Sequence, residues 1–285
     1  MSKLKSNKRK STLKRGIAYV ILTLLAIMCL LPFYVLITNT TRSHAEINRG
    51  FSALPGGSLI PNITKLIQNE NLPVVRAMFN SVYVAVLTAA AASYFSSLTA
   101  YGLFAYRFKM RRAAQSFILL IMMIPTQVSA LGFIDQMDKM GFSDTYVPLI
   151  VPAIASPTVV FFIYQYMTGY VPKEIIDAAR IDGAGEFRAF NKIIIPIIKP
   201  AIAVQAIFSF VGSWNNFFTP SLILDSAEKK TLPLLIAQLR GADFMKFDMG
   251  QVYTLIAFAI VPAIIFYLIF SKQIIGGTTA GSIKG

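Results

Sequence analysis

Few side chains in this 285-residue sequence could do acid–base, nucleophilic or metal chemistry, and they are not grouped for it. The one histidine, His44, sits in a polar stretch, and the one cysteine, Cys29, sits inside an apolar run. A lone His on a solvated loop and a lone Cys among apolar residues have bland readings as a surface and a packing residue. No G-x-x-x-x-G-K-S/T phosphate loop is present, nor even a Gly-Lys pair, so the chain does not hold ATP by that route. The acids lie between the apolar stretches and form no His/Asp/Glu motif at useful spacing, which counts against a membrane enzyme. Within the apolar stretches the polar groups are neutral: Asn80, Ser81, Thr126, Gln127, Gln165, Gln205, Asn215, Asn216 and Gln251. Amides and hydroxyls suit a hydroxyl-rich uncharged solute. They serve equally well to hydrogen-bond one helix to another.

The elements that carry these groups are read from charge and hydropathy. Hydrophobic residues make up 55% of the chain and charged ones 14%, about half of what a soluble domain carries. Six segments contain no Asp, Glu, Lys, Arg or His: 16–41, 77–106, 113–134, 145–172, 200–224 and 249–271. Each is long enough for a helix to cross about 30 Å of hydrocarbon, and they lack the alternation of barrel strands. The expectation is an all-α integral membrane protein with spans near 17–38, 78–106, 114–134, 146–168, 200–224 and 250–271. Prolines 32, 125, 148, 152, 157 and 262 predict kinks in several of them.

Charge sets the direction. With the N-terminus inside, the inner segments 1–15, 107–112, 173–199 and 272–285 hold 18 Lys/Arg and 4 Asp/Glu; the outer ones hold 9 of each. The net charge of +14 therefore sits on one face, which predicts N-in, C-in and six crossings. This placement accounts for the positive charge without nucleic acid. Residues 1–16 read as a basic cytoplasmic tail near anionic lipid, 17–275 as the six-span domain and 276–285 as a cytoplasmic tail. A signal-peptide reading of the N-terminus fails on the length of the apolar run and the lack of a small-x-small cleavage site. No ionisable group lies within the spans, so a proton-coupled carrier would lack its relay. If the chain transports, its energy comes from another protein. A stand-alone secondary transporter or channel for a neutral solute is the rival reading, and it predicts ion-driven uptake by the chain alone.

One inner loop is long, residues 172–196. Pro172, Glu174 and Asp177 favour a helix start, and Gly183 with Ala184 and Gly185 favours its end, giving a helix from about Lys173 to Asp182. A second helix is expected from about Glu186 to Ile194, with Phe187, Phe190 and Ile194 on one apolar stripe. Pro196 and Pro200 are expected to break or kink the chain where the fifth span begins. The hairpin is either a docking lever for a soluble partner or an amphipathic helix lying at the headgroups.

Within this loop Asp177-Ala178-Ala179, three residues, Gly183, nine residues, Ile193, one residue and Ile195-Pro196 resembles the "EAA" signature of ATP-binding-cassette importer permeases. The family has Glu at the first position and Leu before the proline; Asp177 and Ile195 depart while keeping charge and apolar character. PKEIIDAARIDGAG (172–185), GSWNNFFTP (212–220) and GGTTAGSIKG (276–285) resemble the carbohydrate subgroup related to the smaller membrane subunit of the maltose transporter.

The resemblance implies a binding-protein-dependent importer. It implies a second homologous permease as heterodimer partner, two ATP-binding subunits that bind the ATP and Mg, and an extracytoplasmic solute-binding protein. The chain itself would hold no cofactor. The loop becomes a coupling helix, with Asp177, Ala178, Ala179, Gly183, Ile193, Ile195 and Pro196 as ATPase-coupling residues and 276–285 as a weaker contact. Trp214, Asn215, Asn216 and Phe210 become candidates for a sugar path, since sugars offer apolar ring faces and hydroxyls. The implied place is a bacterial or archaeal plasma membrane.

Overall fold

The computed structural model describes residues 2–69, 72–241 and 248–280; side chains of 2–14, 240–241 and 272–280 lie outside the description. The described residues are helices, turns and loops. The chain divides into two units: residues 1–70 with 242–258, and residues 71–241 with 259–285.

The first unit contains α1 (Ser2–Thr40), α2 (His44–Asn48), α3 (Leu59–Ile67) and the start of α14 (Met249–Ala280). The basic segment is helical: α1 runs from Ser2 through it into the first apolar run. Lys and Arg are good helix formers and no Gly or Pro intervenes before Gly16, so the helix has no reason to start later. Its apolar side chains from Ile17 to Phe33 are exposed in this chain. A polar knot follows α1. The buried Arg42 donates to Asn39 Oδ1 and to the Gly50 carbonyl, both at 3.0 Å. Asn62 Nδ2 donates to the Thr40 and Arg42 carbonyls at 2.9 Å. Gly250 lies against Asn62 so closely that a Cβ there would meet its amide at 2.6 Å. His44 is half-buried rather than solvated: its Nδ1 accepts the Met249 N–H at 3.0 Å and helps cap α14.

The second unit contains α4 (Val74–Ala105), α5 (Arg111–Met122), α6 (Thr126–Lys139), α7 (Val147–Ile150) and α8 (Pro157–Tyr170). It continues with α9 (Glu174–Ile181), α10 (Glu186–Ala189), α11 (Ile195–Trp214), α12 (Phe218–Ile223), α13 (Leu232–Gly241) and the rest of α14. A 3₁₀ turn at Val151–Ala155 joins α7 to α8, and a π turn at Phe190–Ile194 joins α10 to α11. The core forms where α4 packs on α8 and α11. Tyr101, Phe104, Ile163, Met167, Phe190, Ile194 and Ile198 are buried there. A row of small residues on α4, Ala77, Ser81, Ala85 and Ala89, is buried at four-residue spacing, which lets neighbouring backbones approach closely.

Among the described residues five stretches are long and apolar enough to cross a membrane: Arg15–Thr40, Val74–Ala105, Val147–Tyr170, Glu186–Trp214 and Met249–Ser271. The expected third span, 114–134, is not one helix. Pro125 stands between α5 and α6, which meet at 97°. Their 12 and 14 residues make about 18 and 21 Å of helix, each short of the hydrocarbon thickness. A sixth crossing exists if this bent pair is a single broken span. Pro125 itself lies in the extended region, at ψ 128°, immediately before α6, so the kink expected there is a break.

The fifth stretch is also displaced from the expected 200–224. It starts at Glu186 and ends at Trp214. Pro196 and Pro200 do not break it: the π turn before Pro196 sends the Ile195 N–H back to the Phe190 carbonyl, and the helix continues. Widening the helix by one residue is a known way to accommodate a ring that would otherwise clash with the preceding turn. The helix stops at Asn215–Phe217, where Asn216 Oδ1 accepts the Thr219 N–H.

Candidate coupling surface and solute path

The hairpin expected at 172–196 is present as α9, a glycine corner and the first turn of the long helix from Glu186. α9 opens with Glu174 and Asp177 in its first turn, where carboxylates suit the positive end of the helix. It closes with two backbone bonds: Gly183 N–H to the Arg180 carbonyl at 3.0 Å, and Ala184 N–H to the Ala179 carbonyl at 2.9 Å. These are the paired bonds of a Schellman cap, with Gly183 in the left-handed position at φ +74°. A Cβ on Gly183 would meet nothing within 4 Å, so the demand for glycine comes from the backbone and not from crowding.

The structure divides the residues of the signature. Ala179 and Ile176 are buried against the core, whereas Asp177, Ala178 and Gly183 are exposed. Ile193 and Ile195 are half-buried in and after the π turn, and Pro196 is exposed; the buried residue there is Ile194. Phe187 does not join the expected stripe. The buried row is Phe190, Ile194 and Ile198, and Phe187 lies beyond its N-terminal end, 69% exposed. Ile181 is 87% exposed. The outer side of the hairpin thus presents Ala178, Ile181 and Phe187, with the acids Glu174, Asp177 and Asp182 also exposed.

A charged network holds the corner, and sequence reasoning missed it. Arg180 Nε donates to Glu186 Oε1 at 2.8 Å, and Tyr101 Oη of α4 donates to Glu186 Oε2 at 2.8 Å. The Arg180 guanidinium lies 5.4 Å from the Tyr106 ring centroid, and Asp177 approaches it at 3.5 Å. Lys173 stands 5.8 Å from the Phe104 ring centroid. A cavity of about 530 Å³ lies between the end of α4 and α9, with Tyr106, Arg107, Lys173, Asp177 and Arg180 on its walls. The long-range contact Tyr101–Glu186 spans 85 residues, and no local pattern announces it.

A second corner closes the other connection of this unit. Asp144 has φ +54°, and its N–H donates to the Ile223 carbonyl at 2.9 Å. Its carboxylate accepts the N–H groups of Asp225 and Ser226 at 3.0 and 3.1 Å, the Ser226 hydroxyl, and Lys229 Nζ at 2.8 Å. The Lys229 ammonium and the Ser226 donors hold this carboxyl well below the usual carboxylate range. The segment is also tied to α4: Asn80 Nδ2 donates to the Glu228 and Lys230 carbonyls, and Leu232 N–H donates to Ser81 Oγ. Asn80 and Ser81, read from the sequence as possible solute ligands, are occupied in this brace.

Of the solute candidates, Phe210 and Trp214 are buried, 1% and 4% exposed. Their rings stack at 5.9 Å and 10°, and Phe210 stacks on Phe266 at 3.8 Å. Trp214 Nε1 donates to the Ala259 carbonyl at 3.1 Å. Asn215 Nδ2 donates to the Val211 carbonyl, and Asn216 Oδ1 accepts the Thr219 N–H. Trp214 and Asn215 line a cavity of about 360 Å³ with Phe217, Leu232, Ile236 and Ala259. Phe210 and Asn216 do not line it. Among the described residues no group of three or more His, Cys, Asp or Glu is placed to hold a metal.

Residues 92–275 match the family model described as "Binding-protein-dependent transport system inner membrane component", and the chain belongs to that family. It is 34% identical over 268 residues to the arabinooligosaccharides transport system permease protein AraQ of Bacillus subtilis (strain 168), covering 92% of this chain and 93% of the relative. It is 29% identical over 280 residues to the trehalose/maltose transport system permease protein MalG of Thermococcus litoralis, covering 97% and 99%. Its fold is similar to that of a chain in a bacterial ABC transporter involved in the import of the acidic polysaccharide alginate. That likeness has TM-score 0.80 at 20% identity, over 93% of this chain and 97% of the other. The chain is thus a multi-pass membrane permease component and not an enzyme.

Proposed function

We propose that this permease forms half of the translocation pathway of an ATP-driven importer for an oligosaccharide, and that residues 172–196 couple it to a separate ATPase. It crosses the plasma membrane of a bacterium or archaeon six times with both ends inside, α5 and α6 together making one broken crossing. The excess of Lys/Arg on one side supports this direction. A second homologous permease completes the pathway, two ATP-binding subunits bind ATP and Mg below it, and an extracytoplasmic protein delivers the solute. The saccharides in the relatives' names support a sugar as the solute.

The observation that carries this reading is the hairpin with one packed side and one bare side. Ile176 and Ala179 anchor it, while Ala178, Ile181 and Gly183 present small or apolar groups beside the carboxylates Glu174, Asp177 and Asp182. An apolar centre with an acidic rim fits a partner cleft that is apolar within and basic at its edge. The end of the C-terminal tail, 281–285, lies outside the described residues, and 276–280 continue α14.

The experiment is reconstitution of the complete importer in liposomes with Gly183→Asp. Aspartate tolerates a left-handed backbone, so the corner folds and the variant inserts normally. Uptake and solute-stimulated ATP hydrolysis fall at least about tenfold, the effect of losing ~1.4 kcal/mol of docking. Unchanged uptake would remove the hairpin from the coupling path. For the solute path, Trp214→Ala in the same liposomes raises the solute concentration for half-maximal uptake if the 360 Å³ cavity is used; unchanged uptake and apparent affinity remove Trp214 from it.

A further inference from the structure

We propose that the chain binds an anionic phospholipid between α4, α5 and α8, with the headgroup at the basic turn 107–112 and an acyl segment in the cavity beside it. The cavity has a volume of about 110 Å³ and is walled by Leu103 of α4, Ile118 and Leu119 of α5, and Val160 and Phe161 of α8. Its walls are mostly apolar, which suits methylene groups better than a hydroxyl-rich ring. Two nitrogens nearby, Arg111 Nε and Gln115 Nε2, are buried and have no acceptor among the described residues. Gln115 itself lines the cavity. Buried donors left unpaired cost about 1–3 kcal/mol each, so a side-chain shift that brings either one to an acceptor from outside is favoured; both residues are only half-buried.

The charges point the same way. Arg107, Lys109, Arg111 and Arg112 fall within six residues, and none forms a salt bridge among the described residues. Arg111 Nη2 is held instead by the neutral Tyr164 hydroxyl at 2.9 Å, which fixes the guanidinium next to the cavity. Arg111 and Arg112 also begin α5, where the helix dipole disfavours cations and the first turn carries no acid. An anion at this turn relieves both repulsions. The ligand must therefore join a negatively charged, acceptor-rich head to an apolar chain. The exposed Phe117 and Leu120 on α5 extend the apolar surface from the same helix. Basic pockets between membrane helices are known places for such lipids. The site lies in the cytoplasmic leaflet, a placement that rests on the proposed orientation.

The test is native mass spectrometry of the full chain and of the assembled importer in detergent, with phosphatidylglycerol or phosphatidylcholine added at equal concentration. Phosphatidylglycerol is retained in preference. Arg111→Gln lowers that retention about fivefold, the worth of one basic residue at an anionic surface, and leaves phosphatidylcholine unchanged. Val160→Phe fills the cavity, keeps every charge and also lowers retention; it carries the test if Arg111→Gln is not recovered folded. Equal retention of the two lipids, or no loss in either variant, overturns the proposal. Full displacement by inorganic phosphate overturns it as well, because the apolar cavity would then contribute nothing. Retention by the chain that vanishes in the importer assigns this face to a partner subunit and also overturns it. Orientation is read separately, by labelling Lys109→Cys from each side in a Cys29→Ser background, so a wrong direction is not confused with a missing site.

Discussion

Gly183 and Asp144 both turn the chain at positive φ, +74° and +54°, and the two corners are built in opposite ways. At Gly183 there is no side chain and nothing stands within 4 Å of where a Cβ would be. The corner is closed by backbone bonds, and the charged pair that steadies it, Arg180–Glu186, lies behind it against Tyr101. At Asp144 the side chain is itself the fastening, and it accepts from Asp225, Ser226 and Lys229. One corner leaves its surface free, the other consumes its own hydrogen-bonding capacity. A bare, backbone-defined corner suits docking of another protein; a saturated one suits holding two loops of the same chain together.

The largest effect that would separate them comes from Gly183→Val. A β-branched residue at this φ costs about 1–2 kcal/mol or more. The Ala184 amide should lose exchange protection and uptake should be abolished. Gly183→Asn, which tolerates the same φ, restores the protection and not the uptake. If Asn restores both, the corner is structural and its bare surface is not used.

Next in size is Asp144→Ala, which removes charge-assisted bonds and places Ala at positive φ. Segment 225–231 should be destabilised locally by about 1–2 kcal/mol, read by hydrogen exchange, with the hairpin at 172–185 unaffected. Coupled changes in both places would show that the corners are not independent.

Acid should reproduce part of this effect. The Asp144 carboxyl has a depressed folded-state pKa, so its contribution is complete above the unfolded carboxylate value, about 3.9, and is lost as pH falls from there toward the folded value. Exchange in 225–231 should rise on acidification below about pH 4, and less so in Asp144→Asn. A rise that begins near neutrality would refute this assignment.

The smallest effect is expected for Glu186→Gln. Its side chain and that of Arg180 are 40% and 35% exposed, so screening limits the stability loss to about 0.5–1 kcal/mol. The comparison predicts that uptake falls more than this stability loss would explain, because the substitution loosens the hairpin on α4. Uptake unchanged with Glu186→Gln would leave the network a passive support.

Much of this was readable along the chain. The Gly183 corner follows from glycine spacing after an acidic helix start, and the signature from Asp177 to Pro196 placed the hairpin. The row Ala77, Ser81, Ala85 and Ala89 was also there to be read as a close-packing face. Other features were hidden. Pro196 looked like a break because the π turn that accommodates it is not encoded by any spacing rule. Trp214 looked available to a solute, yet its burial depends on Phe210 and on Ala259, which is 45 residues away. Arg180 and Glu186 read as ordinary surface charges; only the fold shows that they pair with each other and that Tyr101 donates to Glu186.

The order of residues alone settles where the chain can leave water, where its positive charge collects and where it must turn through glycine. Those depend on run length, charge and backbone sterics, which act within a few residues. Which face of each helix is buried, how the bend at Pro125 divides a span and whether an aromatic ring stays free were decided only by the packed structure. Such choices depend on contacts between segments tens of residues apart, whose free energy exists only once the helices have met.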